Sequence, residues 1–186
     1  MMKIKTMMCI MLLTLTGISG LFAQERDPRI LVAYFSWSGN SRLIAAEIHR
    51  RVGGDLVEIE MVTPYSRTYN TCLDQSLRDL RAGIHPSLKT LETDVAGYDV
   101  VFLGYPTWWA TIPMPVATFL ESCDFTGKII APFNSHGGGR LGQTVSAIAK
   151  LCPSVKITQA LSIHYGGGRT LGSDIDAWLT EIGMAR

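Results

Sequence analysis

Residues 30–35 form an unbroken apolar run, and it opens directly into Ser36-Trp37-Ser38-Gly39-Asn40-Ser41. A stretch with helical spacing follows at once. In residues 41–52, Leu43, Ile44, Ile48 and Val52 fall on one side, with Arg42, Glu47, Arg50 and Arg51 outside. Gly53-Gly54 then stops the helix. A strand, a tight loop and a helix start in that order make an anion site. The first amides of a helix have no intrahelical partner and lie at the positive end of its dipole. Ser36, Ser38 and Ser41 add hydroxyl donors. The loop holds no Lys or Arg, so a phosphate here would be held by neutral donors, which suits a phosphate monoester on a cofactor. It is not a P-loop, since no Lys follows Gly39, and one glycine does not make a dinucleotide fingerprint. The plainer alternative makes Ser41 an N-cap and Gly39 a turn glycine.

The same alternation runs to the end of the chain. Residues 55–62 alternate apolar and charged, as an edge strand does. Helical segments are expected at 70–82, 113–122, 142–151 and 173–182. Strands are expected at 99–105 and 128–133, both largely apolar, and at 155–163, with an interruption near Gln159. Five strands separated by helices imply right-handed crossovers and a mostly parallel sheet covered on both faces. Ligands of such sheets bind beyond the carboxyl ends of the strands.

The unusual residues lie at those ends. After the third strand comes Pro106-Thr107-Trp108-Trp109-Ala110-Thr111, bounded by prolines. Adjacent side chains diverge, so at most one tryptophan points into a single core, and the pair suits a flat aromatic ligand. After the fourth strand comes Asn134-Ser135-His136-Gly137-Gly138-Gly139-Arg140, whose glycines let backbone approach a ligand closely. Trp37 is a third aromatic at this end. The three loops together suit one ligand with a phosphate and a flat heteroaromatic ring joined by a polar tether. Tyr65 and Tyr69, after the second strand, and Arg169, after Gly166-Gly167-Gly168, lie at the same end. Packing of a surface loop accounts better for the two tyrosines, and the glycines before Arg169 can mark only a flexible connection. Asp174 and Asp176 read as acids near a helix N-terminus. No serine sits in GxSxG, and His136 and His164 have no acid partner by spacing, so no catalytic residue is assigned.

On these three loops the chain resembles the flavodoxin-like family of FMN-binding proteins, over most of residues 29–183. The resemblance implies an α/β three-layer sandwich with a five-stranded parallel sheet of order 2-1-3-4-5 and helices on both faces. It implies FMN as cofactor. Ser36, Ser38, Asn40 and Ser41, with Trp37 and Gly39 in the same loop, would hold the phosphate. Pro106, Thr107, Trp108, Trp109 and Ala110 would flank the ring, their backbone toward the N5 edge. Ser135, His136, Gly137 and Gly138 would face the pyrimidine edge. It further implies electron transfer, either as a flavodoxin-type carrier or as an NAD(P)H-dependent reductase of a quinone-like acceptor. The partner would be a redox protein or a small-molecule acceptor. A flavodoxin-fold binding or regulatory module without electron traffic is the alternative. Carriers of low potential surround the ring with carboxylates, whereas these three loops contain no Asp or Glu. A higher potential and two-electron chemistry are therefore expected. Exposed tryptophans beside an open ring would suit a homodimer.

Residues 1–23 read as a signal peptide. Lys3 and Lys5 precede an apolar stretch, residues 7–15, and weakly polar residues end at Ala23. The stretch is short for a span, which needs about 20 residues. Export to the periplasm is expected, leaving residues 24–186 as one flavodoxin-like domain. Removal of Lys3 and Lys5 leaves 15 basic residues against 16 acidic, a formal charge of −1. That balance gives no electrostatic case for nucleic acid. Cys72, Cys123 and Cys152 remain, an odd number with no metal-ligand spacing. A Cys123–Cys152 bridge is one arrangement and buried thiols the other.

Overall fold

The computed structural model describes residues 27–91 and 93–185; the expected signal peptide lies outside them. Eleven helices and strands follow in order: β1 (Ile30–Tyr34), α1 (Asn40–Val52), β2 (Asp55–Glu58), α2 (Tyr69–Ala82), β3 (Val100–Pro106), α3 (Met114–Ser122), β4 (Ile129–His136), α4 (Thr144–Leu151), β5 (Lys156–Ile157), β6 (Leu161–His164) and α5 (Leu171–Glu181). The sheet order is β2-β1-β3-β4-β5, with β6 also on β4, and every strand pair is parallel. β5 and β6 are two pieces of one fifth strand, pairing with the start and the end of β4. The break falls at Gln159, as the sequence suggests. There the carbonyl accepts the indole N–H of Trp178 from α5 at 2.8 Å instead of joining the ladder.

The central strands are buried on both faces because successive side chains feed opposite layers. Leu31, Ala33, Val101, Leu103 and Ile130 meet Val116, Phe119 and Leu120 of α3 and Ile148 of α4 on one face. Ile30, Val32, Val100, Phe102 and Phe133 meet Ile44, Ile48 and Val52 of α1 and Ile175, Trp178 and Leu179 of α5 on the other. Gly104 is required inside β3. A Cβ there would stand 2.2 Å from the ring of its sheet neighbour Phe133.

Two expectations for α1 are corrected. Leu43 is 53% exposed, and Ser41 and Ala45 are buried beside Ile44, Ile48 and Val52 instead. Arg51 does not face solvent. Its guanidinium is held between Glu47 of its own helix and Asp176 and the Gly172 carbonyl of α5. Asp176 is thus an interhelical partner and not a dipole acid. Asp174 stays local, accepting from the Thr170 hydroxyl at 2.9 Å. The Arg50 and Arg51 guanidiniums hold the Glu47 carboxyl down to about 2.

Cys72, Cys123 and Cys152 are all free thiols, so no Cys123–Cys152 bridge forms. Among the described residues no helix is long and apolar enough to cross a membrane. Among them no group of three or more His, Cys, Asp or Glu side chains is placed to hold a metal ion.

Candidate functional site

The sequence-assigned site residues lie at the carboxyl end of the sheet, on the loops after β1, β3 and β4 and the element ends that border them: Asn40 and Ser41 open α1, Pro106 ends β3, and Ser135 and His136 end β4. The first loop starts where the Phe35 amide donates to the Gly104 carbonyl at 2.9 Å, fixing it beside β3. Gly39 turns the chain into α1 with φ 95°. The helix therefore begins one residue earlier than the sequence suggests, and Ser41 is not its cap. The cap is Ser36. Its hydroxyl oxygen accepts the Gly39 amide at 3.2 Å and the Arg42 amide at 3.3 Å. This leaves the Ser36 O–H as a donor, and the amides of Asn40 and Ser41 have no partner among the described residues. Ser38 is exposed. Two cations flank the loop: Arg42 is held in a pair with Glu58, at 2.7 and 2.8 Å, and Arg67 donates to the Trp37 carbonyl at 3.4 Å. The loop's own donors at the helix N-terminus are neutral, with Arg67 at its edge, which fits a phosphate monoester.

Trp37 is half-buried, its indole N–H donating to the Ser66 carbonyl at 2.9 Å and its ring tilted on Tyr69 at 6.2 Å. A cavity of about 330 Å³ opens beside Ser36 and Trp37 on the β2 side, floored by Phe35, Ile59, Met61 and Tyr65.

The turn after β3 is tight. Trp108 and Thr111 exchange backbone hydrogen bonds at 3.1 and 2.9 Å, with Trp109 at φ 53° and Ala110 at φ 60° between them. Such left-handed backbone normally takes Gly or Asn. The two tryptophans diverge as expected. Trp108 leans on the core, edge-on to Phe35 at 5.6 Å and tilted on Tyr65 at 5.8 Å. Trp109 is 42% exposed, with its indole N–H anchored on the Ser76 hydroxyl at 3.1 Å. Trp109 and the turn backbone carry the open surface, and Trp108 packs beneath them on Phe35 and Tyr65. Tyr65 is buried and donates to Asp79 at 3.0 Å. Burial first, then the Asp79 charge, pushes its phenol up. It is a support for Trp108 and not a cover, while Tyr69 is exposed.

The loop after β4 locks that turn. The Thr107 amide donates to the Ser135 carbonyl at 2.8 Å, and its hydroxyl donates to the Arg140 carbonyl at 2.9 Å. Asn134 is fully buried, and its amide group donates to the Thr107 hydroxyl and to the Arg140 carbonyl. The Gln143 amide donates to the Ala110 carbonyl at 2.7 Å, and Gly142 packs so closely that a Cβ would stand 2.5 Å from that oxygen. Ser135 is buried scaffolding, its hydroxyl donating to the Tyr165 carbonyl at 2.8 Å. His136 accepts the Gly138 amide on Nδ1 at 3.0 Å, so the neutral ring carries its proton on Nε2. Burial first, then His164 and Arg140, push its imidazole below the usual value. Gly137 and Gly138 are exposed.

Among the described residues, the non-glycine residues with left-handed backbone are Trp109, Ala110, Arg140 and Tyr165. All four lie on the loops after β3, β4 and β6. Strain of about 1–3 kcal/mol at such a residue persists only where the surroundings enforce it. Its concentration at one end of the sheet marks that end as the built site. Tyr165 and Asn134 were not singled out as site residues from the sequence. The one local signal for Tyr165 is an aromatic directly before Gly166-Gly167-Gly168.

The flavodoxin family model matches residues 29–182. Among solved structures, a Bacteroides eggerthii DSM 20697 protein assigned as a flavoprotein is 32% identical, with a TM-score of 0.74 over 84% of this chain and 99% of that one. A second such protein, from Bacteroides uniformis ATCC 8492, is 24% identical, with a TM-score of 0.68 over 80% of this chain and 97% of that one. A flavoprotein from Lactobacillus acidophilus NCFM, solved in complex with FMN, is 19% identical, with a TM-score of 0.64 over 82% and 99%. No curated protein matches the chain.

Proposed function

This chain belongs to the flavodoxin family and is a flavoprotein whose cofactor is FMN, and we propose that it passes electron pairs to a quinone-like acceptor. Bound FMN supplies the redox chemistry, and the protein holds it and sets its potential. The Asn40 and Ser41 amides, with the Ser36 and Ser38 hydroxyls, would bind the phosphate. The turn from Trp108 to Thr111 and the loop from His136 to Gly138 would hold the ring.

The observation that carries the two-electron reading is the charge around the ring loops. Residues 106–111 and 134–140 contain no Asp or Glu, and Arg140 and His136 stand among them. Other acids at this end stand off these two loops and are partnered: Glu58 with Arg42 and Glu60 with Lys89 on the β2 side, Asp79 buried under Tyr65, and Asp174 accepting from Thr170. A site without carboxylates does not repel the negative charge of a reduced flavin, which raises its potential. In the reaction, two electrons and two protons reach a quinone and leave it as a quinol. NAD(P)H would supply a hydride, with the second proton from solvent. For an exported chain the donor would be a reduced partner protein. Residues 1–23 support export, and a mature chain beginning near Gln24, read by mass spectrometry, would establish it.

The test separates acceptor from donor. FMN-loaded protein is reduced anaerobically with dithionite and mixed with a water-soluble 1,4-benzoquinone. Rapid return of the oxidised flavin spectrum, with one two-electron wave in a redox titration, supports the proposal. Two well-separated one-electron waves, the second at very low potential, would replace it with a one-electron carrier. Titration with NADH and NADPH then shows whether either is a donor.

A further inference from the structure

The cavity of about 330 Å³ beside the first loop is lined by no residue of the turn after β3 or of the loop after β4. Its walls come from the first loop and from the chain that follows β2. Past Glu58 that chain stays extended. The Ile59 amide donates to the Tyr34 carbonyl at 2.7 Å, and Met61 forms an antiparallel bridge with Leu88. The Val62 amide donates to the Ser87 carbonyl at 2.9 Å, and the Lys89 amide to the Glu60 carbonyl at 2.8 Å. With a period of two, Ile59 and Met61 turn inward and are buried, while Glu60 and Val62 are exposed. Phe35 and Tyr65 complete the apolar floor, and Trp37 stands at the side, its indole held on the Ser66 carbonyl. Ser66 is fixed in turn, its amide donating to the Gln75 side chain of α2 at 2.8 Å. The walls are thus pre-formed, and the volume falls within the roughly 300–1,000 Å³ of small-molecule sites.

The rim carries five charged groups, with one cation in excess. Arg42 is paired with Glu58 at 2.7 Å, and Lys89 with Glu60 at 2.5 Å. Arg67 has no carboxylate partner among the described residues. Its guanidinium makes one long bond, to the Trp37 carbonyl at 3.4 Å, which leaves most of its N–H donors open to a ligand. Three of the lining side chains, Phe35, Trp37 and Tyr65, are aromatic, which suits a flat apolar body. An apolar chamber with a single unpaired guanidinium at its mouth is complementary to one ring system bearing one negative charge.

We propose that this cavity is a second ligand site, separate from the FMN site, for a small aromatic carboxylate. Arg67 holds the carboxylate, and Phe35, Trp37 and Met61 hold the ring. Because Arg67 also borders the phosphate loop, the test uses FMN-loaded protein, labelled with carbon-13 at the methionine methyls. The probe is 2-naphthoate. The Met61 methyl signal, assigned with Met61→Leu, should shift saturably as the probe is added, because the ring lies on that side chain. In wild type, the neutral isostere 2-naphthamide should bind about tenfold more weakly, since it cannot form the charged pair with Arg67. Arg67→Gln should weaken 2-naphthoate by a similar factor while the flavin absorbance shows FMN still bound. An unmoved Met61 signal, equal affinities for acid and amide, or an unchanged affinity in Arg67→Gln would overturn the proposal. Probe binding to apoprotein that FMN abolishes would overturn it too, because the cavity would then belong to the cofactor.

Discussion

At the loop after β1, the left-handed residue is Gly39, with nothing within 4 Å of where a Cβ would stand. At the turn after β3, the left-handed residues are Trp109 and Ala110, and the loop after β4 presses against them from Gly142. The first loop is relaxed: glycine takes the unusual backbone, and Ser36 replaces the missing cap. The second is strained and clamped. The difference follows from what each presents. A phosphate cradle works through backbone amides and short hydroxyls, so its φ > 0 position can be glycine at no steric cost. A ring site needs side chains aimed outward, and here an aromatic occupies a position that glycine would hold more cheaply. The strain persists because Thr107, Asn134 and Gln143 over-determine the turn.

Breaking the clamp should have the largest effect. Gly142→Ala sets a Cβ 2.5 Å from the Ala110 carbonyl oxygen, and at φ 53° the residue is also strained. The neighbour is backbone and cannot rotate away. A loss of about 3 kcal/mol is expected from overpacking together with left-handed strain. The same change at Gly39 meets no atom and should cost only the conformational part, about 1 kcal/mol. Urea unfolding of both variants measures the contrast, and equal losses would show that the clamp is not what holds the turn.

The relaxed loop is sharpened by Ser36→Ala. Both capping contacts vanish, at a cost of about 1 kcal/mol, which for a domain of this size is a fall of roughly 2–4 °C in melting temperature. FMN affinity should fall more steeply, about tenfold, since a hydrogen bond to a charged phosphate is worth about 1.5–3 kcal/mol. A melting shift without an affinity shift would make Ser36 a cap alone.

Much of this was readable in the chain. The strand–helix alternation follows from periods of two and 3.6, which are local, and the ligand loops follow from strand ends. Side-chain partners set by distant elements were not readable. Leu43 and Ile44 stand about 100° apart around the helix, and only the position of the sheet decides that Ile44 is buried and Leu43 exposed. Arg51 looks solvated until α5 brings Asp176 to it from 125 residues away. Ser41 is a plausible cap by type, and only the turn at Gly39 decides that the helix has already begun there. Two adjacent tryptophans announce a divergence without saying which one faces the core.

The strained turn allows a change in the opposite direction. Ala110→Gly replaces a residue held at φ 60° by one indifferent to that backbone. Ala110 is exposed, so no packing is lost. The apoprotein should gain up to about 1 kcal/mol, or roughly 2–4 °C in melting temperature. This gain is the mirror of the loss at Gly142. A fall in melting temperature would mean that unfolded-chain entropy outweighs the local strain.

The smallest effect should come from His136, which stands beside the clamp. Its folded value is depressed by burial, His164 and Arg140, so the unfolded chain binds the proton more readily. The contribution is fully present above the unfolded value of 6.5 and is lost as the pH falls through the lower folded value. The Nδ1 acceptor bond from Gly138 points the same way, because protonation removes that acceptor. Melting temperature followed from pH 7.5 down to 5 should therefore fall further for wild type than for His136→Gln, whose side chain keeps an acceptor and does not titrate. Parallel curves would mean that the imidazole titrates as freely as in the unfolded chain. The loop after β4 would then be looser around His136 than its hydrogen bond to Gly138 implies.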